Sequence, residues 1–174
     1  MLRVIYQHRI YRSDLKNNPR VLYLFGDNLK REGYGGQASE CRGELNAFGI
    51  ATKRWPGNHE LAYFSDREAE FLTLEEDLVR LNNLLKNSYE NQIDVVVCPS
   101  DGIGSGLSEL PKRSPKLYSF LNFRLNQVLN NAVSETFRSK IPWATVNNLQ
   151  LGCEIYLERS KRNCKLKENN DKVN

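Results

Sequence analysis

Short unbroken apolar runs alternate along this chain with stretches of helical periodicity. Val95-Val96-Val97 is a β-branched run, and it predicts a strand over 93–98 buried on both faces, as in a parallel sheet. Val21 to Phe25 is a second such run, predicting a strand over 20–25 that ends at Gly26-Asp27-Asn28. Val4, Ile5 and Tyr6, then Ile10 and Tyr11, predict a first strand over 2–10, suited to a sheet edge. Phe48, Ile50 and Thr52 share one face of a further predicted strand, 46–53, closed by Pro56-Gly57.

Two stretches carry the helical period. Leu74, Leu78, Leu81 and Leu85 follow the capping-box pattern Thr73-x-x-Glu76 and predict a helix over 73–87. Ser114-Pro115 gives a cap with proline at the first helical position, and Leu117, Phe120, Leu121, Leu125 and Val128 line one face of the helix after it. Ser13-Asp14-Leu15 predicts a turn or helical start, and Gln37 to Arg42 a short helix. Residues 141–157 predict one or two more strands. The expected architecture is α/β in three layers: a mixed, mainly parallel sheet with helices on both faces.

Composition narrows this picture. A chain of 174 residues is sized for one domain with a real core. No apolar run reaches membrane-spanning length, and the charged start, Met1 to Arg9, does not read as a signal peptide, so a cytoplasmic protein is expected. The net charge is +4, and much of the positive charge falls in residues 158–174. That segment reads as a flexible basic tail, solvated or in contact with nucleic acid, behind a folded domain over 1–157. Cys41, Cys98, Cys153 and Cys164 have no metal-ligand spacing, and with only His8 and His59 available neither a metal site nor any other cofactor is expected.

The candidate chemistry lies in two glycine loops, each following a buried strand. Asp101 to Ser108 contains Gly102, Ile103, Gly104, Ser105, Gly106 and Leu107. It reads either as a loop whose amides cradle phosphate or as a plain glycine-rich turn. On the first reading, a side chain at Gly104 would occupy the phosphate position. Gly35-Gly36-Gln37 forms the second loop, with Asp27 and Asn28 just before it. Asn28 can bond ribose hydroxyls through its amide, or Asp27-Asn28 can form a local turn. Two facing anion loops suit a diphosphate. The dinucleotide G-x-G-x-x-G, the Walker loop and the Gly-x-Ser-x-Gly elbow are all missing, which argues against the enzyme classes they mark.

Phe25-Gly-Asp-Asn28, Gly35-Gly-Gln-Ala38, Ile50-Ala-Thr-Lys53 and Ile103-Gly-Ser-Gly-Leu107, in this order over residues 2–128, resemble a macrodomain, the ADP-ribose-binding α/β fold. The nearest branch is the one that removes ADP-ribose from acidic side chains. The string Phe25-Gly-Asp-Asn28, Gly35-Gly-Gln-Ala38 and Asn46-Ala-x-Gly-Ile-x-Thr-Lys53 is also similar to small phage and bacterial proteins. The resemblance implies a binder of ADP-ribose or a related NAD-derived nucleotide, one able to sequester an ADP-ribose-like immune signal. Hydrolysis of an ADP-ribosyl bond is the alternative; a nucleic-acid- or protein-binding module using the tail is another. By resemblance, Gly102 to Leu107 wrap the diphosphate and distal ribose, Asn28, Gly35 and Gly36 face that ribose, and Asp14 accepts from the adenine amine. Lys53 matches the branch's nucleophilic lysine. The partner acid of that branch is Ser108 here, which leaves Asp101, then Asp27 or Glu109, as the candidate acid. Neither an oligomeric state nor a protein partner follows from these residues.

Overall fold

The computed structural model describes residues 2–140. Two compact units divide the chain, Met1–Thr136 and Phe137–Asn174, and the sheet lies in the first. The strands expected within 141–157 and the basic tail at 158–174 lie outside the described residues.

Among the described residues the sheet has four strands in the order β1-β4-β2-β3. They are β1 (Arg3–Gln7), β2 (Val21–Asn28), β3 (Ala47–Lys53) and β4 (Val95–Pro99). All three pairings are parallel, and the described antiparallel contact is one isolated bridge, Lys53 to Tyr63. The α/β class expected from the sequence is what forms, with β1 at an edge as its pattern suggested.

The apolar runs become strands covered on both faces because alternate side chains point opposite ways. Leu22, Leu24, Val96 and Cys98 face one core; Tyr23, Phe25, Val95 and Val97 face the other. The first core is closed by α3 (Glu68–Lys86) and α5 (Pro115–Lys140), the second by α1 (Arg12–Asn17) and α2 (Ala38–Cys41). Leu74, Leu78, Leu81 and Leu85 of α3 are essentially excluded from solvent. Each contributes roughly 1.5–3 kcal/mol by leaving water. Phe71 and Phe120 meet edge to face with centroids 5.4 Å apart. Arg124 of α5 grips Glu75 of α3, and that hydrogen-bonded guanidinium holds the Glu75 carboxyl below its usual range.

α5 begins at Pro115 as its sequence predicts, but the start of α3 and the caps of both helices differ from the sequence pattern. α3 begins five residues before Thr73, whose hydroxyl instead donates to the Ala69 carbonyl within the helix, at 2.9 Å. The N-terminal acceptor is Glu70, which takes the Arg67 amide at 3.0 Å and the Ser65 amide at 2.8 Å. At α5 the Leu117 amide donates to Asp66 at 2.8 Å, whereas the buried Ser114 hydroxyl has no partner among the described residues. A carboxylate from a distant loop thus replaces the local serine cap, because it offers a charged acceptor to the helix N-terminus. A four-residue helix, α4 (Leu110–Arg113), also precedes α5.

The outer edge of β3 is closed by side chains. Arg31 donates to the Gly49 carbonyl at 2.9 Å, Asp77 accepts from the Ala51 amide at 2.7 Å, and the two residues pair with each other at 2.6 and 2.7 Å. This ion pair stands where a neighbouring strand would, and it blunts an edge otherwise open to further pairing.

Candidate functional site

A parallel sheet brings the C-terminal ends of its strands to one side, and here all the candidate residues follow those ends. β2 leads to α2 on one face, while the adjacent β4 leads to α5 on the other. Strands whose connections part in this way leave a crevice between them, the usual ligand position in open α/β sheets.

That crevice is a cleft of about 120 Å³, lined among others by Gly26, Asn28, Gly35, Lys53, Leu107 and Ser108. The two glycine loops meet across it. A methyl group on Gly35 or Gly36 would lie 3.1 or 3.2 Å from Leu107 Cδ1, and one on Gly26 would lie 3.4 Å from the Gly104 amide nitrogen. Among the described residues, no backbone acceptor takes the amides of Gly106, Leu107 or Ser108. Lys53 is 7 % exposed and lies beside Asn28 in the β2–β3 register. Its ammonium donates to the Leu107 carbonyl at 3.3 Å and sits 4.0 Å from the centroid of the Tyr63 ring. Arg113 lies over the same ring at 3.7 Å. Among the described residues, Lys53 forms no ion pair. Glu109 feels its charge, yet that carboxyl bonds Arg113, which is the main reason its pKa falls below the usual range.

The other candidates fall into distinct roles. Asp27 is buried and bonded by Arg42, and it also accepts the Asn28 amide at 2.7 Å. Its carboxylate is therefore committed to the fold. Asn28 donates its Nδ2 to the Glu32 carbonyl at 2.7 Å, the local turn, and its Oδ1 has only a long contact of 3.5 Å with the Glu32 amide. Gln37 clamps the Ile10 backbone, donating to its carbonyl at 2.6 Å and accepting from its amide at 3.3 Å. Asp14 takes the Gln7 side-chain amide at 2.8 Å and the Tyr11 amide at 3.0 Å through one oxygen, as a turn cap would. Asp101 bonds His8 at 3.2 Å and is well exposed. It follows β4 on the β1 side, with β2 between it and the strand that carries Lys53. Within the central loop, Ile103 points into the core and the Ser105 hydroxyl donates to the Gly102 carbonyl at 2.8 Å. Gly102 would bring a methyl group to 2.7 Å from the Tyr118 hydroxyl.

Two features escaped the sequence pattern. Tyr63 is the platform shared by Lys53 and Arg113. Ser108 and Thr52, far apart in the chain, have hydroxyls 2.6 Å apart. Ser108 was notable only as a departure from the resembled branch.

The buried cysteines take no part. Burial pushes the Cys98 thiol up to about 12 and the Cys41 thiol up to about 11. A Cys153→Ser/Cys164→Ser variant is expected to release no Ellman's-reagent colour while folded and two equivalents in denaturant. Rapid reaction of either remaining thiol in the folded protein would contradict their burial.

These features define an α/β protein with a small cleft at the reversal point of a parallel sheet. Among the described residues, no group of acidic, histidine or cysteine side chains is arranged to hold a metal ion, and no helix is long and apolar enough to cross a membrane. The chain belongs to a family of unknown function, DUF7831, whose model matches residues 5–124, a span that contains both glycine loops and Lys53. No curated protein and no solved structure matches the chain.

Proposed function

We propose that this protein binds ADP-ribose or a closely related NAD-derived nucleotide along the C-terminal edge of its sheet, as the macrodomain resemblance implies. The observation that carries this reading is the buried Lys53 in the cleft, whose ammonium bonds the Leu107 carbonyl and has no carboxylate partner among the described residues. A buried cation without a counter-ion is costly, and a phosphate oxygen would supply the missing charge.

Strand order supports a long ligand. Following β1-β4-β2-β3, the edge offers Asp14 near the end of β1, the 102–107 loop after β4, Asn28 with Gly35 and Gly36 after β2, and Lys53 on β3. Three strand spacings span about 14 Å. Adenine falls at the β1 end, where Asp14 Oδ1 has no hydrogen-bond partner among the described residues and can accept the amine. The diphosphate and second sugar then lie toward the cleft.

Binding is favoured over cleavage of an ADP-ribosyl bond. The acids considered for proton transfer are engaged elsewhere: Asp27 with Arg42, Asp101 with His8, Glu109 with Arg113. Titration calorimetry with ADP-ribose is expected to give saturable binding at one site. Lys53→Ala should weaken it at least tenfold, about 1.4 kcal/mol. No heat at millimolar ADP-ribose would sink the proposal. Turnover of ADP-ribosylated glutamate that Lys53→Ala abolishes would show the hydrolase instead. Binding of nucleic acid that falls steeply with salt, with none of ADP-ribose, would favour a module of the third kind.

A further inference from the structure

The Thr52–Ser108 hydroxyl pair has a direction. Thr52 is fully buried and donates its hydroxyl proton to the Asp27 carbonyl at 3.1 Å. A hydroxyl carries one proton, so the arrangement that makes both bonds is the one in which Ser108 donates, at 2.6 Å, to Thr52 Oγ1. The chain Ser108→Thr52→Asp27 carbonyl runs inward, and each bond polarises the next. Ser108 is half-buried and lines the cleft. In that arrangement Ser108 Oγ meets the cleft with lone pairs alone. Lys53, which lines the same cleft, is a donor.

We propose that Ser108 is a fixed hydrogen-bond acceptor for a hydroxyl of the sugar beyond the diphosphate, and that Thr52 is the positioning residue that holds it in that role. A phosphate oxygen brings only lone pairs and is repelled at Ser108. A sugar hydroxyl brings the proton that this position lacks. The cleft thereby separates an anion end, at Lys53, from a hydroxyl-reading point at Ser108. This inference rests on the reading of the cleft as a nucleotide-diphosphate site, and it names which ligands that site prefers: those with a hydroxylated second sugar over those ending at the phosphate.

The test compares ADP-ribose with ADP, which lacks the second sugar, on wild type, Ser108→Ala and Thr52→Val. Wild type is expected to bind ADP-ribose more tightly. Ser108→Ala should lose roughly tenfold for ADP-ribose, the scale of one hydrogen bond, and stay within about twofold for ADP. Thr52→Val frees the Ser108 proton to turn outward, and it should narrow the gap between the two ligands without touching either. Melting curves of the three proteins separate loss of fold from loss of preference. An equal loss for both ligands, or no loss in Ser108→Ala, overturns the role of Ser108 and leaves the nucleotide reading standing. If folded wild type binds neither ligand, both the reading and the inference fall.

Discussion

Arg31→Met is expected to destabilise the protein by about 3 kcal/mol or more, the scale of a broken buried ion pair. Asp77 is 3 % exposed at its side chain, and Arg31 grips both of its carboxylate oxygens. Arg31 also lies 3.6 Å from the buried Asp27 carboxylate. Methionine keeps much of the aliphatic stem, but it leaves the buried Asp77 carboxylate without its bidentate partner and the Gly49 carbonyl without its donor. Arg80, at 3.5 Å from Asp77, offsets part of the loss. Adding Asp77→Asn removes the stranded charge while keeping an acceptor for the Ala51 amide. The double variant should therefore recover more than half of the stability lost, in a cycle read from urea unfolding. A single-variant loss under about 1 kcal/mol would mean that the pair is a surface ornament of the kind that contributes little.

Gly104→Val is expected to cost a comparable amount, and through the core. Gly104 has φ +86°, where a β-branched residue is strained, and a side-chain carbon built there would lie 2.5 Å from Leu110 Cδ1. Overpacking of this kind costs roughly 1–3 kcal/mol, with strain of about 1–2 kcal/mol added. The reading in which a side chain at Gly104 blocks phosphate is therefore corrected: that direction leads to Leu110. Gly106 is the informative position. Nothing lies within 4 Å of a carbon added there, and its φ is not positive. Gly106→Val should keep the wild-type melting temperature and weaken ADP-ribose at least tenfold. A destabilised Gly106→Val, or a fully stable Gly104→Val, would show that the loop is arranged differently.

The glycine loop illustrates how far the chain can be read. Its presence after a buried strand was legible, because a β-branched run ended by proline and three alternating glycines is a local pattern. Which glycine meets the core and which stays open was not, since Leu110 and Tyr118 reach the loop only after α4 and α5 have folded back. Thr73 and Ser114 make the same point at helix ends. Both fit a capping pattern, yet Glu70 and Asp66 provide the acceptors, the second from a loop far away in sequence.

By itself the sequence determined the four strands, the two long helices and their order, because apolar periodicity dictates which backbone geometry can bury its side chains. It also placed the glycine loops, Asn28 and Lys53 at strand ends, since parallel strands share one C-terminal side. Only the tertiary structure decided which polar groups remain free there. Asp27 is taken by Arg42, Asp101 by His8 and Gln37 by Ile10, while Lys53 keeps a ring and a carbonyl but gains no carboxylate among the described residues. Those pairings join residues from 10 to 93 positions apart. Hydrogen bonds and charges are satisfied by proximity in space, and proximity follows from how the sheet is wound.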